Sequence, residues 1–156
     1  MAWILQLAVE CESDREAAIR VSQHFDGHVF HVDEAVSVRC AASDTIKDER
    51  NCYWIEIAPT ISGKSLPHNS DPSLLNTVAL HLYERLKSVA GYRFAVAGIE
   101  VFQFNGTEGL SRMVHDTSLN LDGLVLRDEL FGAFGNPSQF INFAPGYKWR
   151  PFGRLR

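Results

Sequence analysis

The 156-residue chain is 46% apolar and 22% charged, an ordinary globular composition that shows no disorder signature and no apolar run long enough to cross a bilayer. Residues 1–147 hold all 19 acidic residues and 11 of the 15 lysines and arginines, a formal charge of −8, while Lys148, Arg150, Arg154 and Arg156 give the last nine residues +4. An acidic body disfavours general nucleic-acid binding, because affinity for a phosphate backbone comes from Lys and Arg displacing counterions.

Strict alternation of Trp3, Leu5, Leu7, Val9 and Cys11 with Ile4, Gln6, Ala8 and Glu10 predicts a first strand with one strongly apolar face. Ser13-Asp14-Arg15-Glu16 has the form of a capping box, and a helix follows to Phe25 with a narrow stripe of Ala18, Val21 and Phe25. From His28 to Cys40 the apolar even positions predict one long bent strand rather than a tight pair broken near Asp33-Glu34. Residues 43–51 read as a polar loop, residues 52–59 as a strand with Tyr53, Ile55 and Ile57 opposite Trp54 and Glu56, and residues 61–69 as a crossing loop.

The best-signalled unit spans residues 70–104. Ser70 or Asp71 caps a helix whose first turn holds Pro72, and Leu75, Val78, Ala79, Leu82, Leu86 and Val89 share one face. Gly91 is the expected helix stop, and residues 92–104 follow as a strand. Strand, helix, strand, strand, helix, strand is the order of a split βαβ, ferredoxin-like α+β sandwich, with two helices on one face of an antiparallel sheet. That architecture transfers no function by itself.

The chain therefore reads as one domain over residues 1–156, a core over 1–104 and an aromatic-rich extension over 105–156 packed on it. In the extension, residues 110–114 suggest a short helix and residues 123–130 a further strand. Beyond them Phe131, Phe134, Phe140, Phe143, Tyr147, Trp149 and Phe152, separated by Gly, Pro, Asn and Ser, predict a loop-rich segment without helix, anchored by its rings.

Motifs that carry chemistry are weak. Ser62-Gly63-Lys64-Ser65 lacks the earlier glycine of a phosphate-binding loop, where Ala58 stands. His24, His28, His31, Asp33 and Glu34 form the densest set of metal-ligand types, but His28 and His31 fall on opposite faces of a strand, so no metal is expected. Ser111, His115 and Asp116 are close in sequence without a nucleophile elbow. Adjacent carboxylates at Asp33-Glu34 and Asp128-Glu129 point apart in a strand.

Cys11, Cys40 and Cys52 are an odd count without CxxC spacing, which argues against a disulfide framework. With no basic segment ahead of the apolar start, a cytoplasmic location is expected. These absences leave a protein-binding module as the expected function, in the manner of an inhibitor or immunity protein, with no cofactor. Its partner is a basic protein or a second copy of the chain, not a membrane. Trp54, Tyr147, Trp149 and Arg150 are the candidate contact residues.

The open sheet face, with Ile4, Ala8, Trp54 and Ala58, is expected to be too apolar to stay bare. The alternatives are a homodimeric small-ligand-binding protein and a small enzyme built from converging loops. For the enzyme, His68 and His115 are the acid–base candidates because His titrates near neutrality.

Overall fold

Alternation in the first strand divides the molecule into two sides. In a computed structural model that describes residues 3–99 and 122–151, β1 (Leu5–Glu10) pairs on one flank with β5 (Tyr53–Ile61) and on the other with β7 (Phe94–Ile99). Leu7, Val9, Ile55 and Ile57 share a buried cluster with Ala17, Ala18, Val21 and Phe25 of α1 (Arg15–Phe25) and with Ala79, Leu82, Tyr83 and Leu86 of α2 (Pro72–Leu86). Each large side chain removed from water there contributes roughly 1.5–3 kcal/mol.

The even positions of β1 enter a different cluster. Ala8 joins Trp54, Phe94 and Val96 with Leu124, Leu126 and Phe134, and Leu130, Phe131 and Phe140 lie at its margin. The second sheet face is thus partly roofed by the chain's own C-terminal part. That part comprises β8 (Val125–Arg127), α3 (Asp128–Ala133), β9 (Ile141–Ala144) and β10 (Tyr147–Trp149).

Between these elements lie β2 (Val29–His31), β3 (Ser37–Ala42), β4 (Ile46–Lys47) and β6 (Lys64–Ser65). Among the described residues the ten strands form one antiparallel open sheet of order β2-β3-β5-β1-β7-β8-β10-β9, with β4 and β6 also pairing β5, accompanied by three helices. No helix of the described residues is long and apolar enough to cross a membrane.

Local chemistry explains where the structure departs from the expected elements. Asp14, not Ser13, caps α1, its carboxylate accepting from the Ala17 N–H at 2.9 Å. The expected bent strand is a hairpin of β2 and β3, because the Asp33 carboxylate accepts the N–H groups of Ala35 and Val36 and holds a turn there. The expected loop at 61–69 begins with a tight hairpin, since Ser62 and Gly63 both take positive φ and return the chain as β6.

The cap of α2 is Asp71, which accepts from the Ser73 N–H. The helix ends at Leu86, before Val89 and before Gly91, whose φ of +94° serves the connection into β7. The strand expected over 123–130 stops at Arg127, and α3 takes up both its last three positions and the start of the segment from Phe131 expected to hold no helix. The expected helix at 110–114 and the strand beyond Ile99 lie outside the described residues.

Candidate functional site

Registers place the second sheet face in rows across the strands. Trp54, Glu10, Phe94 and Leu126 form the first row, Glu56, Ala8 and Val96 the second, and Ala58, Gln6 and Gly98 the third. Ala41 on β3 stands opposite Ala58, and Arg39 opposite Thr60 and Val29. The first row is sealed, with Glu10 at 0% and Trp54 at 2% exposure. By the third row the residues are half-buried, and Ala41 and Arg39 are exposed.

Two carboxylates on this face receive opposite treatment. Glu10 is fully buried, with Arg93 Nε 2.5 Å from its Oε2 and the Glu12 N–H donating to its Oε1. Burial pushes the Glu10 carboxyl above its usual value, and the Arg93 pair pulls it partly back. Arg127 extends the network: it donates to Glu12 at 3.0 Å and to the carbonyls of Gly91 and Tyr92. These bonds fasten the C-terminal part to the turn before β7.

Glu56 has no such partner. Among the described residues no cation and no donor reaches its carboxylate; its backbone N–H donates to the Ser43 hydroxyl at 3.0 Å and its carbonyl accepts from the Ser43 N–H at 2.9 Å. It is half-buried, and desolvation alone pushes its carboxyl above the usual value. Its neighbours on this face are Ala8 across β1, Ser43 opposite on the β3 side, and Trp54 and Ala58 two positions either way along β5.

The residues singled out from the sequence do not converge. Trp54 is covered rather than open, its indole N–H donating to Asp48 Oδ2 at 2.8 Å and its ring edge-on to Phe94. It presents almost no surface and lies in the core. Tyr147 is buried in the helix-side cluster, stacked on Tyr92 at 4.2 Å with its hydroxyl donating to the Tyr92 carbonyl. It too is a core residue.

Trp149 packs half-buried between Tyr83 and Phe143, and Arg150 lies 3.4 Å from Asp122. His68 is exposed, and its ring meets only Trp3 among the described residues. His115, with Ser111 and Asp116, lies outside the described residues.

The thiols are held protonated. Burial pushes Cys11 up to about 12 and Cys40 to about 11, and Cys52 is raised by burial and by the charges of Glu10 and Asp48. His31 is engaged with Ser37, Asp33 with its own turn and His24 with Arg85 and Ser88. Among the described residues no three His, Cys, Asp or Glu side chains gather as a metal would require.

A concavity of about 340 Å³ lies at the β9–β10 hairpin, lined by Asp128, Asn142, Ala144, Pro145 and Lys148 among others. Its lysine is already bound to Asn142.

Glu56 and Glu10 are what the sequence reading missed as site residues. The available signal was a charged residue inside an otherwise apolar strand, at Glu56 in Tyr53–Ile61 and at the end of Leu5–Glu10. No family model matches the sequence, no curated protein matches it, and no solved structure matches it.

Proposed function

We propose that this chain is a protein-binding module that acts through the uncovered part of its second sheet face, against a basic partner. The observation that carries the reading is the Glu56 carboxylate, which has no side-chain partner among the described residues and stands beside Ala8 and Ala58 where the roof of the face ends. A half-buried charge without a counter-charge is destabilising in the free protein and is relieved by a cation from outside. The −8 charge of residues 1–147 favours encounter with a positively charged surface. Inhibitors and immunity proteins of nucleases are one class with such partners.

The scaffold proposed for this role is a ferredoxin-like split βαβ core. Support comes from the order β7-β1-β5-β3 and from the cluster that residues of both long helices share with Leu7, Val9, Ile55 and Ile57. Helices on that side would leave the other to a partner. Three free thiols suit a reducing cytoplasm.

A photo-crosslinking amino acid placed at Ala41, on the open face, and separately at Leu80, exposed on α2, tests the reading in the source cell. The expected outcome is a discrete adduct with another protein from position 41 and none from position 80. Equal labelling from both, or turnover of a metabolite by the purified chain, would overturn it.

A further inference from the structure

We propose that Glu56 anchors a single lysine or arginine side chain of the partner, laid across Ala58 and Ala41 at the edge of the roofed part of the sheet; this inference rests on the protein-binding reading above.

Three observations select a cation of that size and shape. The first is the empty coordination of the carboxylate. Ordinarily a half-buried Glu in a sheet is matched by a cross-strand lysine, arginine or hydroxyl; here Ala8 stands across β1, and Ser43, opposite Glu56 on the β3 side, turns its hydroxyl to the Glu56 backbone N–H, with no bond to the carboxylate among the described residues. Beside it, Ala58 and the exposed Ala41 present only small side chains on the same face.

The second is the wall. Trp54, two positions before Glu56 on the same face, is buried and fixed by Asp48 and Phe94, and so bounds the site toward the roofed end. A ligand approaches from the β3 side, where Ala41 is exposed.

The third is that, among the described residues, no internal cation is bonded to the carboxylate. Arg93 and Arg127 are committed to Glu10, Glu12 and the Gly91 and Tyr92 carbonyls, and Arg39, two positions beyond Ala41 on β3, holds its guanidinium beside Gly27. The desolvation that raises the Glu56 carboxyl is consistent with a site prepared for a guest rather than a solvated surface charge. An aliphatic stem over Ala58 and a charged head on Glu56 is the arrangement that long basic side chains adopt on partly apolar surfaces.

The test is a titration of the isotope-labelled full chain with a tri-arginine amide, with tri-glutamate amide as the control, followed by amide chemical shifts. The expected result is a set of shifts centred on Gln6, Ala8, Ala41, Glu56 and Ala58 with tri-arginine alone. Glu56→Gln, which keeps the shape, should weaken the affinity about tenfold or more, the size of one lost charge-assisted hydrogen bond. Ala41→Lys, at an exposed position diagonal to Glu56, supplies the cation internally and should block the peptide to a similar extent.

Shifts spread over Asp33, Glu34 and Glu84, or an affinity unchanged by Glu56→Gln, would overturn the anchor. A crosslinked partner whose affinity ignores Glu56→Gln refutes the anchor while the protein-binding reading stands. Peptide held by Glu56 in a chain that gives no adduct from position 41 refutes the reading while the anchor stands.

Discussion

Replacing Tyr83 with Phe should be among the costliest single-atom changes in this protein. The Tyr83 hydroxyl donates to the Gly123 carbonyl at 2.7 Å and accepts from the Ala97 N–H at 2.8 Å. β7 and β8 pair only at Phe94 with Leu126 and Ala95 with Val125. Continued in register, the ladder would set Ala97 against Gly123, and the hydroxyl of a helix residue stands in that gap as a bridge.

Tyr83 is 1% exposed, so Phe leaves one backbone donor and one acceptor buried together. At about 1–3 kcal/mol for each unsatisfied group, partly offset by relaxation, the loss is about 2–4 kcal/mol. For a chain of this length that is a fall in Tm of about 5–15 °C. Urea unfolding should show a lower midpoint with an unchanged slope, since the fold and the area exposed stay the same.

Tyr92→Phe is the internal control. Its hydroxyl is equally buried and has no hydrogen-bond partner among the described residues, so removing it should cost under about 0.5 kcal/mol or stabilise the fold. Equal losses for the two variants would refute the reasoning.

Thiol reactivity follows the burial of each sulfur: at pH 8 an aromatic disulfide reagent should modify Cys52 slowly, and Cys11 and Cys40 only once the chain unfolds. Fast labelling of all three in the native state would contradict the raised values. Arg127→Met removes the donors to Glu12, Gly91 and Tyr92 and should cost about 1–3 kcal/mol, read by urea unfolding, with proteolysis of the C-terminal part accelerated. Glu56→Gln should raise the urea midpoint at pH 7 and leave it unchanged near pH 4. The folded protein favours the protonated carboxyl, so the favourable contribution is complete below the ordinary value of 4.5 and is lost as pH rises through the raised one. A midpoint lowered at pH 7 would show that Glu56 has a stabilising partner after all.

Periodicity made the regular elements legible. β1, α1, β5 and α2 fall where alternation, caps and apolar stripes place them, because each buries one face against the same interior. What periodicity missed was local hydrogen bonding by short polar residues. One Asp33 carboxylate turns a continuous strand pattern into the β2–β3 hairpin, and the Ser62-Gly63 pair with its positive φ values makes a hairpin from loop composition.

Surface roles were harder still. Trp54 has the residue type of an interface anchor, and its sequence neighbourhood holds no sign of Leu124, Leu126 and Phe134, which share its buried cluster from seventy residues or more away. Glu56, two positions on, carries no motif. Its significance lies in what register sets around it, which no linear spacing displays.

The two carboxylates on the second sheet face separate structural from available charge. Glu10 is taken wholly out of water and is answered at once by Arg93, by the Glu12 N–H and, through Glu12, by Arg127. Removing either partner would strand a buried ion, so the network holds the C-terminal part in place without being free to bind anything else. Glu56 is diagonal to Glu10 on the same face, and among the described residues no cation stands against it. The fold contains the means to neutralise a carboxylate one strand away and leaves this one open. A solvated charge would need no answer, but Glu56 is only half-solvated, and its cost recurs in every folded molecule that lacks a guest. That persistent, local and relievable cost is what distinguishes Glu56 from the other acidic residues of the body and directs a cation to this point of the sheet.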